Sequence, residues 1–131
     1  AMNVRQDLPL CRALVSETGG EAAAAPEDTA ALTRLFASAR LTVSMRLHAL
    51  TLSYLAGTPA FGIDGDGLIA AFAKECGIPY RAVEECGDIA AALEETLTAE
   101  TPDAAIWNDR LAAGRAALAR ALRAPEKEKE K

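Results

Sequence analysis

Arg46 and His48 stand two residues apart in the run Ser44-Met45-Arg46-Leu47-His48-Ala49-Leu50, and His48 is the single histidine of the chain. The helix they open continues through Thr51, Leu52, Ser53, Tyr54 and Leu55. It is apolar around most of its circumference, the pattern of a buried helix. Arg46 and His48 are expected in its first turn, directly after a strand, on opposite flanks of a Leu47/Leu50/Thr51/Tyr54 stripe. Burying a guanidinium there costs several kcal/mol unless an anion pairs with it. The helix start adds unsatisfied N–H groups and partial positive charge. The planar fork of arginine matches a carboxylate or a phosphate, and an imidazole beside it can deliver a proton near neutral pH. Together these residue types make an anion clamp with an acid at its side. The alternative from the same residues is a satisfied structural histidine, with Arg46 paired to a nearby carboxylate such as Asp64.

The elements that must hold this pair alternate short apolar runs with helical stretches. Asp7 is expected to cap a first helix, with Pro9 in its first turn and Gly19-Gly20 as the stop. A weak strand is expected over residues 21–25. Leu32, Leu35, Phe36 and Ala39 recur at i, i+3, i+4 and i+7 and mark a second amphipathic helix. Strands are expected over residues 41–44, 60–63 and 80–83, and a helix over residues 46–56 closed by Gly57 and Pro59. Asp64 and Asp66 are candidate caps for a helix whose inner face is Leu68, Ile69, Phe72, Ala73 and Cys76. Gly77 is expected in the left-handed conformation at its end, with Pro79 beyond. A helix over residues 88–98 and a terminal helix follow, the latter capped by Thr101 with Pro102 at its first position and ending near Arg123. Strands separated by helices of this length are crossovers in a parallel sheet with helices on both faces, an α/β, Rossmann-like fold. Ligands of such sheets sit at the carboxyl ends of strands, beside helix starts. Chemistry is therefore sought after Ser44 and after Ile63.

With 131 residues the chain is expected to form one domain over residues 1–124, followed by a charged tail over residues 125–131. Its net charge of −5 and lack of a basic stripe argue against nucleic acid. Cys11, Cys76 and Cys86 form neither a CxxC pair nor an even set. They read as small buried hydrophobes in a reducing compartment, with no metal site. No run reaches the length of a membrane span and none reads as a secretory leader. A cytoplasmic location is expected, the inner face of the membrane included.

The segment Met45-Arg46-Leu47-His48-Ala49-Leu50, with Ala56-Gly57-Thr58-Pro59 and Phe61-Gly62-Ile63 at ungapped spacing, resembles the Arg-Leu-His segment of polysaccharide pyruvyl transferases. In that family the helix is followed by Gly-Val-Pro and a strand ending Gly-Ile-Ser-Tyr-Asp-Pro-Lys-Val. Here the corresponding stretch is Gly62-Ile63-Asp64-Gly65-Asp66-Gly67-Leu68-Ile69. The resemblance covers about residues 2 to 110, with its core over residues 41–79. It implies one half, the C-terminal one, of a two-domain GT-B architecture with the active site in the cleft against a missing N-terminal domain. It implies transfer of an enolpyruvyl unit from phosphoenolpyruvate, a co-substrate in an enzyme with no further cofactor, to two hydroxyls of a glycan or lipid-linked sugar as a ketal. Arg46 would bind the carboxylate or phosphate of the donor. His48 would protonate the methylene carbon, so that an oxocarbenium-like centre forms, the two hydroxyls add in turn and phosphate leaves. Ser44, Leu47, Asp64 and Asp66 complete the substrate-binding set, the two aspartates by accepting hydrogen bonds from sugar hydroxyls.

Three departures are visible. The family's Tyr, Pro and Lys are Gly65, Gly67 and Leu68, which removes a positive charge from the anion site. Gly62, Gly65 and Gly67 make a pliant loop whose backbone N–H groups are a weak candidate phosphate cradle. The chain also carries only one wall of a cleft, so on its own it is expected to be inactive. Two further readings stand beside this one. The first is half of a GT-B glycosyltransferase or sugar epimerase binding a nucleotide-sugar; the second is a non-catalytic binding domain of the same fold.

Overall fold

The computed structural model describes residues 4–23, 26–101 and 105–123. The chain divides into two compact units, Ala1–Arg34 and Leu35–Lys131. The first contains α1 (Val4–Thr18) and the start of α2 (Thr29–Ser38). Here the structure corrects two expectations. Asp7 does not cap α1, because the helix already begins at Val4, and Pro9 lies inside it. Proline removes one backbone donor, and α1 runs on past it to Thr18. Glu21–Ala23 form no strand, in keeping with the poor strand propensity of a Glu-Ala run; Ala24 and Ala25 lie outside the described residues. The start of α2 is capped by Asp28, whose Oδ1 accepts from the Ala31 N–H at 2.6 Å.

The second unit holds the sheet. Strands β1 (Thr42–Ser44), β2 (Ala60–Asp64) and β3 (Tyr80–Ala82) lie side by side in that order. All are parallel, with Ser44 opposite Gly62 and Asp64 opposite Ala82. They are joined by α3 (Leu47–Leu55) and α4 (Leu68–Cys76), and β3 runs into a 3-10 helix (Val83–Asp88), α5 (Ala90–Thr98) and α6 (Ala105–Arg123). This is the α/β, Rossmann-like arrangement expected, with short strands in the expected places. Thr101 precedes α6, and the expected Pro102 lies outside the described residues, as does the 125–131 tail.

The core forms where α3 and α4 lie on β2. Leu50, Tyr54, Ala60, Ile69, Phe72, Ala73, Cys76 and Ile78 make one buried cluster, with Leu47 and Tyr80 packed on it. Tyr54 and Phe72 meet edge to face, centroids 6.5 Å apart, a favoured aromatic geometry. Gly62 makes this packing possible: a Cβ there would lie 2.6 Å from Ile69 Cγ2 and 3.2 Å from Tyr80 Cβ. Phe61, which alternation turns to the opposite face, is also only 1% exposed, so the sheet is covered on both sides. Gly77 closes α4 at φ 68°, as its place after the apolar stripe predicts. Thr58 joins the loop after α3 to the end of α2: its N–H donates to Ser53 O at 2.9 Å and its hydroxyl to Phe36 O at 2.8 Å. In the middle of α3 the Ser53 hydroxyl is fully buried and has no hydrogen-bond partner among the described residues.

Of the cysteines, Cys76 is buried as expected, whereas Cys11 and Cys86 are partly exposed; all three are free thiols. The Cys86 Sγ lies 3.3 Å from Ala82 O. On the surface of the unit, Arg110 of α6 forms an ion pair with Glu75 of α4. Its hydrogen bond holds the Glu75 carboxyl below the ordinary glutamate range.

Candidate functional site

The carboxyl ends of β1 and β2 carry the residues singled out above, and their local geometry follows from short-range hydrogen bonds. Ser44 ends β1 partly buried. Its Oγ accepts from the Arg46 N–H at 2.9 Å, a local turn of the kind serine favours. Arg46 is thereby held extended, at φ −109° and ψ 120°, as the residue that caps α3 from outside. Leu47 opens the helix and packs inward on the core cluster. His48 follows in the first turn.

Arg46 and His48 are both exposed, which corrects the expectation of a guanidinium buried by a greasy helix. The buried part of α3 is Ala49, Leu50, Ser53 and Tyr54, beginning one residue after His48. Arg46 precedes the helix and His48 lies on its outer flank, so the apolar surroundings do not extend to either side chain. The pair sits on an open edge rather than in a closed crevice. No side-chain cap bonds the start of α3. The N–H groups of Ala49 and Leu50 both donate to Arg46 O, while those of Leu47 and His48 have no partner among the described residues. The start of α3 thus carries two backbone donors without a partner among the described residues, next in sequence to an arginine and a histidine.

The start of α4 is built the opposite way. Asp64, the last residue of β2, accepts from the Gly67 N–H with both oxygens at 3.1 Å and from the Ala70 N–H with Oδ1 at 3.1 Å. Asp66 Oδ1 accepts from the Leu68 N–H at 3.1 Å. Gly67 takes φ 86° to let the chain turn into the helix, a conformation glycine adopts without strain. Both aspartates act as caps, one of the two roles their positions suggest. Of the glycine N–H groups weighed as a phosphate cradle, that of Gly67 is held by Asp64 and that of Gly62 donates to Pro79 O at 2.9 Å, so neither is open to a phosphate.

Between the two helices a groove is lined by Leu47, Leu68, Ala71, Phe72, Lys74 and Glu75. Met45, Leu68 and Val83 are exposed at 59%, 54% and 44%. Met45 and Val83 directly follow β1 and β3, and Leu68 follows the turn after β2, so all three lie at the carboxyl edge of the sheet. Neither Met45 nor Val83 was singled out from sequence, although an apolar residue straight after a strand end is the legible signal. A second cleft, about 60 Å³ in volume, opens at the amino ends of the strands between Tyr54, Pro59, Pro79 and Thr101. It lies at the far edge of the sheet from Ser44 and Asp64. Among the described residues no group of three or more His, Cys, Asp or Glu side chains is placed to hold a metal ion. No described helix is long and apolar enough to cross a membrane.

Parallel strands joined by helices that start at the strands' carboxyl ends define the class: a Rossmann-like α/β domain. The family model of polysaccharide pyruvyl transferase matches residues 13–67, somewhat under half the chain. The match takes in β1, the start of α3 with Arg46 and His48, and the turn holding Asp64 and Asp66, and it supports the family that these residues resemble. No curated protein matches the chain, and no solved structure does.

Proposed function

We propose that this chain supplies the C-terminal half of a polysaccharide pyruvyl transferase, which moves pyruvate from phosphoenolpyruvate onto two hydroxyls of a sugar as a ketal. The observation that carries this reading is the family match over residues 13–67, which spans both candidate catalytic side chains. In the proposed mechanism Arg46 and the N–H groups of Leu47 and His48 hold an anionic group of the donor, with Ser44 fixing the backbone of Arg46. His48 protonates the methylene carbon. One sugar hydroxyl adds to the resulting cationic carbon, phosphate departs with its bonding pair, and the second hydroxyl closes the ketal. The two hydroxyl protons are released to a base or to solvent. Asp66, whose Oδ1 alone is engaged among the described residues, has a second oxygen to accept from a sugar hydroxyl.

The exposed apolar edge at Met45, Leu68 and Val83 supports the reading that a second body, the N-terminal half of a GT-B architecture, covers this surface in the working enzyme. That cover would exclude water from a cationic intermediate. The working place of such an enzyme is the cytoplasm, where phosphoenolpyruvate is available, and its acceptor is a glycan or lipid-linked sugar of the cell surface.

The test is thermal melting of the chain with phosphoenolpyruvate and, separately, a UDP-sugar. A ligand at ~100 times its dissociation constant adds about 2.7 kcal/mol. A rise in Tm with phosphoenolpyruvate that disappears in Arg46→Ala supports the transferase. A rise only with the UDP-sugar moves the chain to the glycosyltransferase or epimerase class. The exposure of Arg46 and His48 favours one other reading, a binding domain without chemistry, and the absence of a shift with either ligand supports it.

A further inference from the structure

The helix α6 has 19 residues, which makes it about 28 Å long. Its middle is bare. Ala112, Ala113, Gly114, Arg115, Ala116 and Ala117 are all exposed, and six consecutive residues go round an α-helix more than one and a half times. A helix in a protein draws most of its stability from a packed face, and over this stretch α6 has none. Nearer its start, Arg110 ties it to α4 through Glu75.

One line along α6 carries charges in a particular order. Asp109 and Arg120 are both exposed and stand eleven residues apart, about three turns, so they share one side of the helix. Ala112, Ala113, Ala116 and Ala117 occupy the same side between them. Arg110 lies about 100° round from Asp109, so the hold on α4 is made off this face. Neither Asp109 nor Arg120 forms an ion pair with another described residue. Beside a second copy running in the opposite direction, the line is its own complement. Asp109 of each copy meets Arg120 of the other, Ala112 meets Ala117, and Ala113 meets Ala116. In a parallel pair the same line would set acid against acid and base against base.

We propose that α6 is a self-association surface on which two copies of this chain pair antiparallel, about a two-fold axis between residues 114 and 115. Charge complementarity selects the occupant, since the symmetric pair gains the Asp109–Arg120 contact twice. The alanines let the two helix axes approach closely, because that distance is set by the side chains at the contact. One helix pair of small residues buries less than the roughly 1,200 Å² of a standard interface, so the dimer is weak and forms at high chain concentration.

Sedimentation equilibrium of the chain at low ionic strength, up to about 1 mM, the weak end of specific affinity, tests this. The proteins are the unmodified chain, Asp109→Arg, Arg120→Asp, the Asp109→Arg/Arg120→Asp double variant, and an equimolar mixture of the two single variants. The unmodified chain is expected to pass from monomer to dimer, and added salt should reverse this. Each single variant should dimerise about ten-fold or more weakly, because both contacts turn from attraction to repulsion. The double variant and the mixture should regain the dimer, since opposite charges again face each other. Far-UV circular dichroism checks that each variant keeps its helix content, and the two regained pairs test the face even where a single variant loses some. A chain that stays monomeric throughout, or single variants that dimerise as tightly as the unmodified chain, overturns the proposal. So does a mixture of two helical variants that stays monomeric.

Discussion

Arg46 works from outside its helix, and this decides what its replacement should do. Because Arg46 precedes the helix and its backbone is set by the Ser44 hydroxyl, Arg46→Ala should leave the turn after β1 and the start of α3 in place. It should still abolish any rise given by phosphoenolpyruvate. Arg46→Lys keeps the charge and loses the fork, so a partial rise is expected. Asp64 behaves differently. It satisfies two backbone donors at the start of α4, and Asp64→Ala should destabilise the domain by about 1–2 kcal/mol in chemical denaturation. Asp64→Asn should cost a fraction of that. An Asp64→Ala variant that unfolds at the same denaturant concentration as the unmodified chain would show that these two hydrogen bonds do not hold the start of α4.

At the scale of elements, the sheet and the two crossovers were readable because their signals are local and redundant. The greasy helix, the Gly77 stop and the capping aspartates each rest on more than one residue. The exposure of Arg46 and His48 was not readable, because the apolar circumference of α3 describes its middle and says nothing of a capping residue in extended conformation. Pro9 lies inside α1 against the local rule, since an interior proline removes a helical hydrogen bond and crowds the carbonyl four residues earlier, which is why its type points to a first turn instead. Gly62 was noticed as part of a loop motif, whereas its function is steric. Gly62→Ala must push Ile69 or Tyr80 aside and should lower stability by about 1–3 kcal/mol; an unchanged denaturation midpoint would show that α4 shifts freely. The Glu75–Arg110 pair gives α6 a titratable hold on α4. Since folding lowers the Glu75 pKa from 4.5, its stabilisation is complete above that value and is lost as pH falls through the lower folded value. The Tm difference between the unmodified chain and Glu75→Gln should therefore be present near neutral pH and shrink toward zero in acid. Because both side chains are well exposed, added salt should shrink it too.

At the scale of the whole molecule, one edge of the sheet carries the candidate chemistry together with three exposed apolar residues, Met45, Leu68 and Val83. The chain alone should bind a compact anion but form no ketal; product from this chain incubated with phosphoenolpyruvate and a sugar acceptor would show that a second wall is not needed. The hydroxyl of Ser53 has a consequence here. It sits sealed in α3 with nothing to donate to among the described residues, and a buried hydroxyl without a partner weakens a fold by about 1–3 kcal/mol. Ser53→Ala would delete that liability in a helix where alanine is intrinsically favoured, in the buried part of α3 and away from the exposed Arg46 and His48. The result would be a sturdier background in which more damaging substitutions at the working edge could be carried without loss of the folded state.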